Sequence, residues 1–263
     1  MNLFETPFLS AYVLIISAIL GSVMGSFITC MADRISTGED WKHGHSHCDA
    51  CHHELHALDL IPVFSYLIHK GKCRYCGAKL SSKYFWTEVG MAVLFMLVTW
   101  HYHTLTFLIV RDWGFISVLL GISIVDMKTY TIPDGMILAG IMIWLMGVIY
   151  TALVHGDWMH MVRDGLLGGV LIAGSLLILS LIMDRILGKE SLGGGDIKLL
   201  FMTSLYAGAL EGLFSLMLAC ITGLVFVVLL KRNKIPFGPS ISIAACITLF
   251  AGTYVVQWYT GLF

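Results

Sequence analysis

Two aspartates of this 263-residue chain are placed where carboxyl groups could do chemistry. Asp126 ends the sequence Ser123-Ile-Val-Asp126, and Asp196 ends the sequence Gly193-Gly-Gly-Asp196. Each adjoins an apolar stretch too short to cross a bilayer unless its helix is extended through the acid, which draws both carboxyls to the edge of the membrane. Acids in a span are costly and usually face a bundle interior or a water-filled cavity. The two aspartates are therefore the candidate active site.

The chemistry expected of such a pair is general acid–base hydrolysis. Two carboxyls that share a site cannot both ionise freely, so together they hold one proton near neutral pH. In aspartic proteases the ionised member takes a proton from water and the protonated member polarises the scissile carbonyl. The alternative for Asp196 alone is a helix cap, because a helix N-terminus favours a carboxylate. A second acid at matched depth, Asp126, argues against that alternative.

Four neighbours of the aspartates are predicted to support the site. Gly194 and Gly195 leave room for an extended peptide and permit backbone angles that other residues resist. Lys198 lies two residues beyond Asp196, on another helix face, and we expect it to snorkel or to bias the local field. Asp134 begins the next predicted helix after a proline, where capping that helix and supporting the site are equally good interpretations.

Four cysteines form the most specific motif. Cys48-x-x-Cys51 and Cys73-x-x-Cys76 are separated by 21 residues, a spacing typical of two knuckles that share one tetrahedral zinc ion. Four thiolates leave no open coordination position, so the predicted role is structural. Nearby histidines could replace a cysteine as ligand, but solvated loop histidines are the simpler interpretation; they are His43, His45, His47, His52, His53 and His56.

Composition indicates the elements that position these residues. Hydrophobic residues make up 57% of the chain and charged residues 13%, so lipid is the main solvent and the net charge of -1 does not favour nucleic-acid binding. Eight stretches lack Asp, Glu, Lys and Arg: 6–32, 89–110, 113–125, 135–156, 165–183, 199–210, 212–230 and 235–263. We predict an all-α polytopic membrane protein with about eight transmembrane helices and a small four-cysteine zinc insert.

Orientation follows from the positive charges. With eight alternating spans, 14 of the 16 Lys and Arg residues fall on one side, and only Arg111 and Arg163 fall on the other. The positive-inside rule places the insert in the cytoplasm and both termini in the periplasm. The predicted division is a first span over 1–32, a cytoplasmic zinc-binding insert over 33–86 and a seven-span protease core over 87–263.

Short motifs in this chain occur in the order found in a known family. They are Gly25-Ser26-Phe27, the two cysteine pairs, Ile61-Pro62, Glu88, Asp126, Ile132-Pro133-Asp134, Gly195-Asp196-Ile197-Lys198 and Pro236-Phe237-Gly238-Pro239. In these motifs nearly the whole chain resembles the prepilin peptidases of type IV pili and type II secretion, membrane-embedded proteases of the Gly-x-Gly-Asp type.

The resemblance implies a substrate, a location and a second activity. It implies that Asp126 and Asp196 cleave a short basic leader after glycine, just before the hydrophobic helix of a prepilin or pseudopilin, on the cytoplasmic side of the bacterial inner membrane. It also implies methylation of the new N-terminus from S-adenosylmethionine, with Glu88 and the insert as the associated residues. One departure concerns that activity, because Thr29 stands where the family pattern Gly-Ser-Phe-x-Asn has asparagine. A leader peptidase without methylation is therefore an alternative.

Two other classes remain as alternatives. In a proton-coupled transporter the two aspartates would relay protons, although inverted repeats and helices broken at mid-membrane are not apparent. In an assembly protein with a zinc insert and no chemistry the acids would only cap helices, which does not explain why both short spans end at one. The sequence assigns no oligomeric state, and the expected partners are prepilin or pseudopilin substrates and membrane lipid.

Overall fold

The fold is helical throughout the part of the chain that a computed structural model describes, residues 6–41, 46–48, 50–56, 58–154, 156–188, 191–230 and 235–262. Nine helices and no strand lie in these ranges. The helices are α1 (Pro7–Thr37), α2 (Phe64–Ile68), α3 (Ser82–Tyr102), α4 (Phe107–Thr129), α5 (Asp134–Val154), α6 (Trp158–Leu187), α7 (Gly194–Ala207), α8 (Ala209–Leu230) and α9 (Gly238–Thr260). Residues used in the sequence predictions that lie outside the described ranges are Lys42, His43, His45, Lys189, Lys231, Arg232 and Lys234.

The prediction of an all-α polytopic membrane protein is confirmed. Eight of the described helices, α1 and α3 to α9, correspond to the eight predicted spans, and six of them are long and apolar enough to cross a membrane. Helix α3 has the length, at 21 residues, but is not among the six. Helix α7 has only 14 residues, or about 21 Å, against about 30 Å of bilayer core.

The sixth predicted span was expected to extend to the length of a full span, but helix α7 does not. The residues at its two ends explain the difference. Helix α4 does extend on both sides of its apolar run, to 23 residues. Helix α7 gains only a few residues at its start and ends at Gly208, whose φ of 86° is readily adopted only by glycine. Helix α8 begins at the next residue, so α7 and α8 are two separate segments joined at a glycine corner.

The chain divides into two compact units, residues 1–113 and 114–263. In the first unit, α1 and α3 pack at very close range along small residues. A Cβ at Gly21 would lie 2.5 Å from the carbonyl oxygen of Met91. The hydroxyls of Ser17 and Thr99 are hydrogen-bonded at 2.9 Å, deep within the same interface. Small and hydroxylated residues are the usual means by which membrane helices approach each other.

In the second unit, α7 is held between α5 and α6. The Tyr206 hydroxyl of α7 donates a 2.6 Å hydrogen bond to the carbonyl of Gly140 in α5. On the other side, a Cβ at Gly165 of α6 would lie 2.6 Å from the Leu205 carbonyl oxygen. These contacts fix the short helix relative to α5 and α6, and with it the position of the acid in its first turn.

Candidate functional site

Asp126 lies near the C-terminal end of α4 and is only 4% exposed. The preceding turns of α4 bury Leu119, Ile122 and Val125, which explains why the acid is drawn inside the second unit. One oxygen, Oδ2, accepts a 2.8 Å hydrogen bond from the backbone N–H of Gly238, the first residue of α9.

Asp196 lies in the first turn of α7, half-buried, with its side chain folded back over the start of the helix. A Cβ at Gly193 would lie 3.0 Å from Asp196 Oδ2. The Asp196 carboxyl is near enough to Asp126 for the two charges to interact. The structure therefore brings together the two acids that the sequence predicts as a pair, 70 residues apart in the chain, at the C-terminal end of α4 and the N-terminal end of α7.

The glycines before Asp196 have no side chains, which leaves space at one position and allows close packing at another. A Cβ on Gly194 would meet nothing within 4 Å, so the backbone is open there. A Cβ on Gly195 would lie 3.1 Å from Cβ of Ile132, so this glycine packs closely on the segment just before α5. None of the three has a positive φ, so this turn does not use the backbone angles that glycine permits.

Lys198 and Asp134 are paired with each other. Lys198 Nζ lies 2.7 Å from Asp134 Oδ1, and the pair joins the first turns of α7 and α5. Both side chains are exposed, 55% for Lys198 and 75% for Asp134. An exposed ion pair contributes little stability, about 0–1 kcal/mol. Asp134 thus begins α5 and pairs with a lysine of α7, and its role at the site stays a prediction.

An apolar cleft of about 580 Å³ opens beside this ion pair, between α5, α6 and α7. Its walls include Ile137, Leu138, Val170, Leu177, Ile197 and Phe201. Ile197, the residue after Asp196, lines this cleft, whereas Asp126 and Asp196 are not among its lining residues.

The four cysteines of the insert converge as predicted. Their Sγ atoms all lie within 4.8 Å of one another, and those of Cys48 and Cys76 are 3.9 Å apart. Four thiolates around tetrahedral zinc, with bonds of about 2.3 Å, lie about 3.8 Å apart. The cluster could hold a metal ion, and its spacing fits that geometry. The backbone N–H of Cys76, with further hydrogen bonds from Tyr75, Cys48 and Cys76, outweighs burial and lowers the pKa of the Cys73 thiol to about 7, which favours the thiolate that a metal binds.

Both cysteine pairs lie in the same kind of turn. In each, the first cysteine's carbonyl accepts a hydrogen bond from the residue that follows the second cysteine, His52 or Gly77. These two residues have positive φ values of 55° and 73°. Isolated bridges between His47 and Glu54 and between Lys72 and Lys79 close the turns. The described histidines are not part of the metal cluster; they make ring contacts instead, such as His53 on Tyr75 with centroids 3.8 Å apart.

Asp59 is an acid of the insert that the sequence reasoning missed. Its side chain is 6% exposed and accepts hydrogen bonds from the Tyr75 hydroxyl, at 2.9 Å, and from the His56 N–H, at 3.2 Å. Burial tends to raise the pKa of Asp59, but these hydrogen bonds and the charges of Arg74 and His69 outweigh burial and hold it below its usual value. Asp59 thus connects the segment between the two cysteine pairs to the turn of the second pair, through Tyr75 and Arg74.

Glu88 and Thr29 lie at one interface, where α1 meets α3. Glu88 is 7% exposed, and its Oε2 accepts a 2.7 Å hydrogen bond from the N–H of Val63, which has a φ of 63°. The Thr29 hydroxyl is hydrogen-bonded at 3.0 Å to Thr87, the neighbour of Glu88. One oxygen of Glu88 therefore anchors the insert to α3, a structural contact that the sequence did not predict.

Comparisons with known proteins agree across the chain. Residues 19–102 match the bacterial peptidase A24 N-terminal domain, and residues 113–228 match the type IV leader peptidase family. A prepilin leader peptidase/N-methyltransferase of Pseudomonas putida is 31% identical, over 92% of each chain. One of Aeromonas salmonicida is 31% identical over 81% of this chain and 73% of the relative. A type 4 prepilin-like proteins leader peptide-processing enzyme of Escherichia coli O78:H11 is 30% identical, over 78% and 75%. No solved structure matches.

Proposed function

The chain belongs to the type IV leader peptidase family and is a peptidase, and from that premise we propose that it cuts the leaders of type IV prepilins or type II secretion pseudopilins after a glycine, on the cytoplasmic side of the inner membrane. Leader-peptide processing follows from the family itself. The glycine, the pseudopilins and the side of the membrane are the finer parts of the proposal, and they rest on the motifs of the sequence.

The observation that carries the proposal is the meeting of Asp126 and Asp196. One carboxyl is ionised and takes a proton from water, whose oxygen attacks the scissile carbonyl; the other donates its proton to the carbonyl oxygen. The proton taken from water passes to the leaving nitrogen as the C–N bond breaks. Gly194 leaves the backbone beside the carboxyls open to an extended peptide, and Lys198 is held in place by Asp134.

Zinc is the metal that we propose for the four-cysteine cluster. Cys48, Cys51, Cys73 and Cys76 would hold it, and a complete set of thiolates gives a structural role. The described part of the insert has two isolated bridges and one five-residue helix, so a metal would supply much of its folding free energy. Metal analysis of the purified protein is expected to find about one zinc per chain. Oxidised cysteines and no bound metal would contradict this role.

We further propose N-methylation of the new N-terminus, with S-adenosylmethionine as the methyl donor. This second activity is supported by the names of the relatives. Glu88, the residue that we associate with it, contacts the insert through the N–H of Val63. Thr29 replaces the family asparagine at the same interface, so a peptidase without methylation is the alternative.

Mass spectrometry of a prepilin co-expressed with this protein tests the proposal. The expected product lacks the leader up to a glycine and carries one added methyl group. Cleavage without the methyl mass would support the peptidase alone. An uncleaved prepilin beside folded membrane-inserted enzyme would contradict the proposed function.

A further inference from the structure

We propose that the backbone N–H of Gly238 is a positioning group that keeps Asp126 as the ionised member of the aspartate pair and leaves the shared proton on Asp196. The inference rests on the proposed function and divides its chemistry between the two acids. Asp126 takes the proton from water as the oxygen bonds to the carbonyl carbon, and Asp196 protonates the carbonyl oxygen. As the C–N bond breaks, the proton on Asp126 passes to the leaving nitrogen, and the re-forming carbonyl returns its proton to Asp196.

The first observation is the hydrogen bond itself. Gly238 begins α9, a helix of 23 residues, and the first N–H groups of a helix have no partner within it. This N–H donates to Oδ2 of Asp126 at 2.8 Å, in a buried position. A hydrogen bond from an N–H to a carboxylate is stronger than one to a neutral acid, and the helix N-terminus adds a favourable positive potential. Both effects favour the anion.

The second observation is that the packing of α8 fixes this donor. A Cβ at Gly223 would lie 3.0 Å from the Phe237 ring, so the residue before Gly238 is seated directly on α8. The Thr222 hydroxyl oxygen of α8 lies 3.2 Å from the carbonyl oxygen of Ser240, two residues after Gly238, so the two helices are in contact there. A Cβ at Gly238 would lie 2.6 Å from Asp126 Oδ2, so only glycine permits this approach.

The third observation is the asymmetry of the pair. Asp196 also lies at a helix N-terminus, that of α7, so a helix dipole acts on both acids. Among the described residues, however, a backbone N–H reaches the carboxyl of Asp126, and no hydrogen bond reaches that of Asp196. The donated N–H is therefore what distinguishes the two carboxyls.

The surrounding helices carry few other charged groups. At the C-terminal end of α6 these are Asp184, which accepts a hydrogen bond from the Ser191 N–H, and Arg185. Helix α9 contains no Asp, Glu, Lys, Arg or His, and α7 contributes Asp196 and Lys198. Lys198 is paired with Asp134, the charged residue of α5. On α4, Lys128 lies two residues from Asp126, and the single charged residue of α8 is Glu211, in its first turn. The basic residues between α8 and α9 lie outside the described residues.

The test is the pH profile of cleavage by the full-length enzyme in lipid nanodiscs, acting on a synthetic prepilin peptide. In one variant, glycolic acid replaces Gly238 during cell-free synthesis, so an ester oxygen stands in for the N–H and no atom is added. We expect the acid limb of kcat/KM to move up by about 1 pH unit, because the anion on Asp126 loses its donor. The alkaline limb, which reports ionisation of Asp196, is expected to stay.

The opposite pattern would overturn the assignment. If Asp196 were the ionised member, Asp126 would ionise second, and loss of the donor would move the alkaline limb while the acid limb stayed. Two unchanged limbs would also overturn the role of Gly238. Failure of the wild-type enzyme to cleave would instead contradict the proposed function, so the two failures are distinguishable.

Gly238→Ala gives a second, simpler variant. Its methyl group would push the flexible carboxyl of Asp126 away from the N–H, so we expect the same shift of the acid limb, with kcat reduced and KM within about twofold. Gly90→Ala is the matched control, because a Cβ there meets nothing within 4 Å. A shift of the acid limb in the control, or none in Gly238→Ala, would contradict the proposal.

Discussion

At the scale of the residue, the site depends on where two carboxyls are placed rather than on how many acids the chain has. Asp126 is almost fully buried and Asp196 half-buried, whereas Asp134 is 75% exposed and paired with a lysine. The ionisation of a buried carboxyl depends on the charges and hydrogen bonds around it. An exposed carboxyl is solvated and screened by water, so its neighbours affect it little. We therefore expect substitutions of the buried acids to affect cleavage and substitutions of exposed acids to leave it unchanged.

Asparagine at either position of the pair is expected to stop cleavage. Asp126→Asn removes one carboxyl and Asp196→Asn the other, so one partner of the acid–base pair is lost in each. We expect kcat/KM to fall by about 10²- to 10⁴-fold, measured from initial rates on a synthetic prepilin peptide with the full-length enzyme in lipid nanodiscs. Asp164→Asn, at an exposed acid of α6, is the control and is expected to cleave normally. Substantial cleavage by either variant would remove that aspartate from the site.

In the insert, Asp59→Asn is expected to weaken metal retention. The pKa of Asp59 lies below its ordinary value of 3.8, so the ionised form stabilises the fold above that value and the effect is lost as pH falls through the lower, folded-state pKa. At pH 6 and pH 8 the contribution is thus fully present. We expect faster loss of zinc to a chelator in Asp59→Asn, by the same factor at both pH values. A factor that differs between them would contradict this account.

At the scale of the element, close helix packing sets the geometry of both units. Helices α1 and α3 approach until Gly21 touches the backbone of Met91, and α6 approaches the α7–α8 corner until Gly168 meets the carbonyl of Gly208. Backbone atoms cannot rotate away as side chains can, so these contacts have little tolerance. Helix α7 is too short to span a bilayer alone, and such contacts hold it against its neighbouring helices.

Gly21→Ala is expected to destabilise the α1–α3 pair. Its Cβ would lie 2.5 Å from the Met91 carbonyl oxygen, so a helix must move, at a cost of about 1–3 kcal/mol. Thermal unfolding followed by size-exclusion chromatography in detergent would show a lower melting temperature. Gly90→Ala on α3 has open space and a higher helix propensity, so its stability is expected to be equal or greater. Equal melting of both variants would show that the interface tolerates the added methyl.

At the scale of the whole molecule, the proposed function depends on membrane orientation. The four-cysteine insert lies in the first unit and the aspartates in the second, and only the side of the membrane relates them in the proposal. We expect a phosphatase reporter fused after Phe263 to be active, because alkaline phosphatase folds in the periplasm. The same reporter after Gly188, at the end of α6, is expected to be inactive. The reversed pattern would contradict the proposed cytoplasmic site.

The sequence by itself determined the helical class and the two cysteine pairs, and it selected Asp126 and Asp196 as a pair whose catalytic role stays a prediction. Charge-free runs and residue spacing are defined along the chain, so they can be read without knowing which distant residues come into contact. The three-domain division stays a prediction. The tertiary structure decided what depends on packing between distant residues: the end of α7 at Gly208, the contact of Ile132 with Gly195, and the anchoring of Val63 by Glu88. It also placed the Gly238 N–H on Asp126, 112 residues away, which no local pattern encodes because the donor belongs to the backbone and not to a side chain.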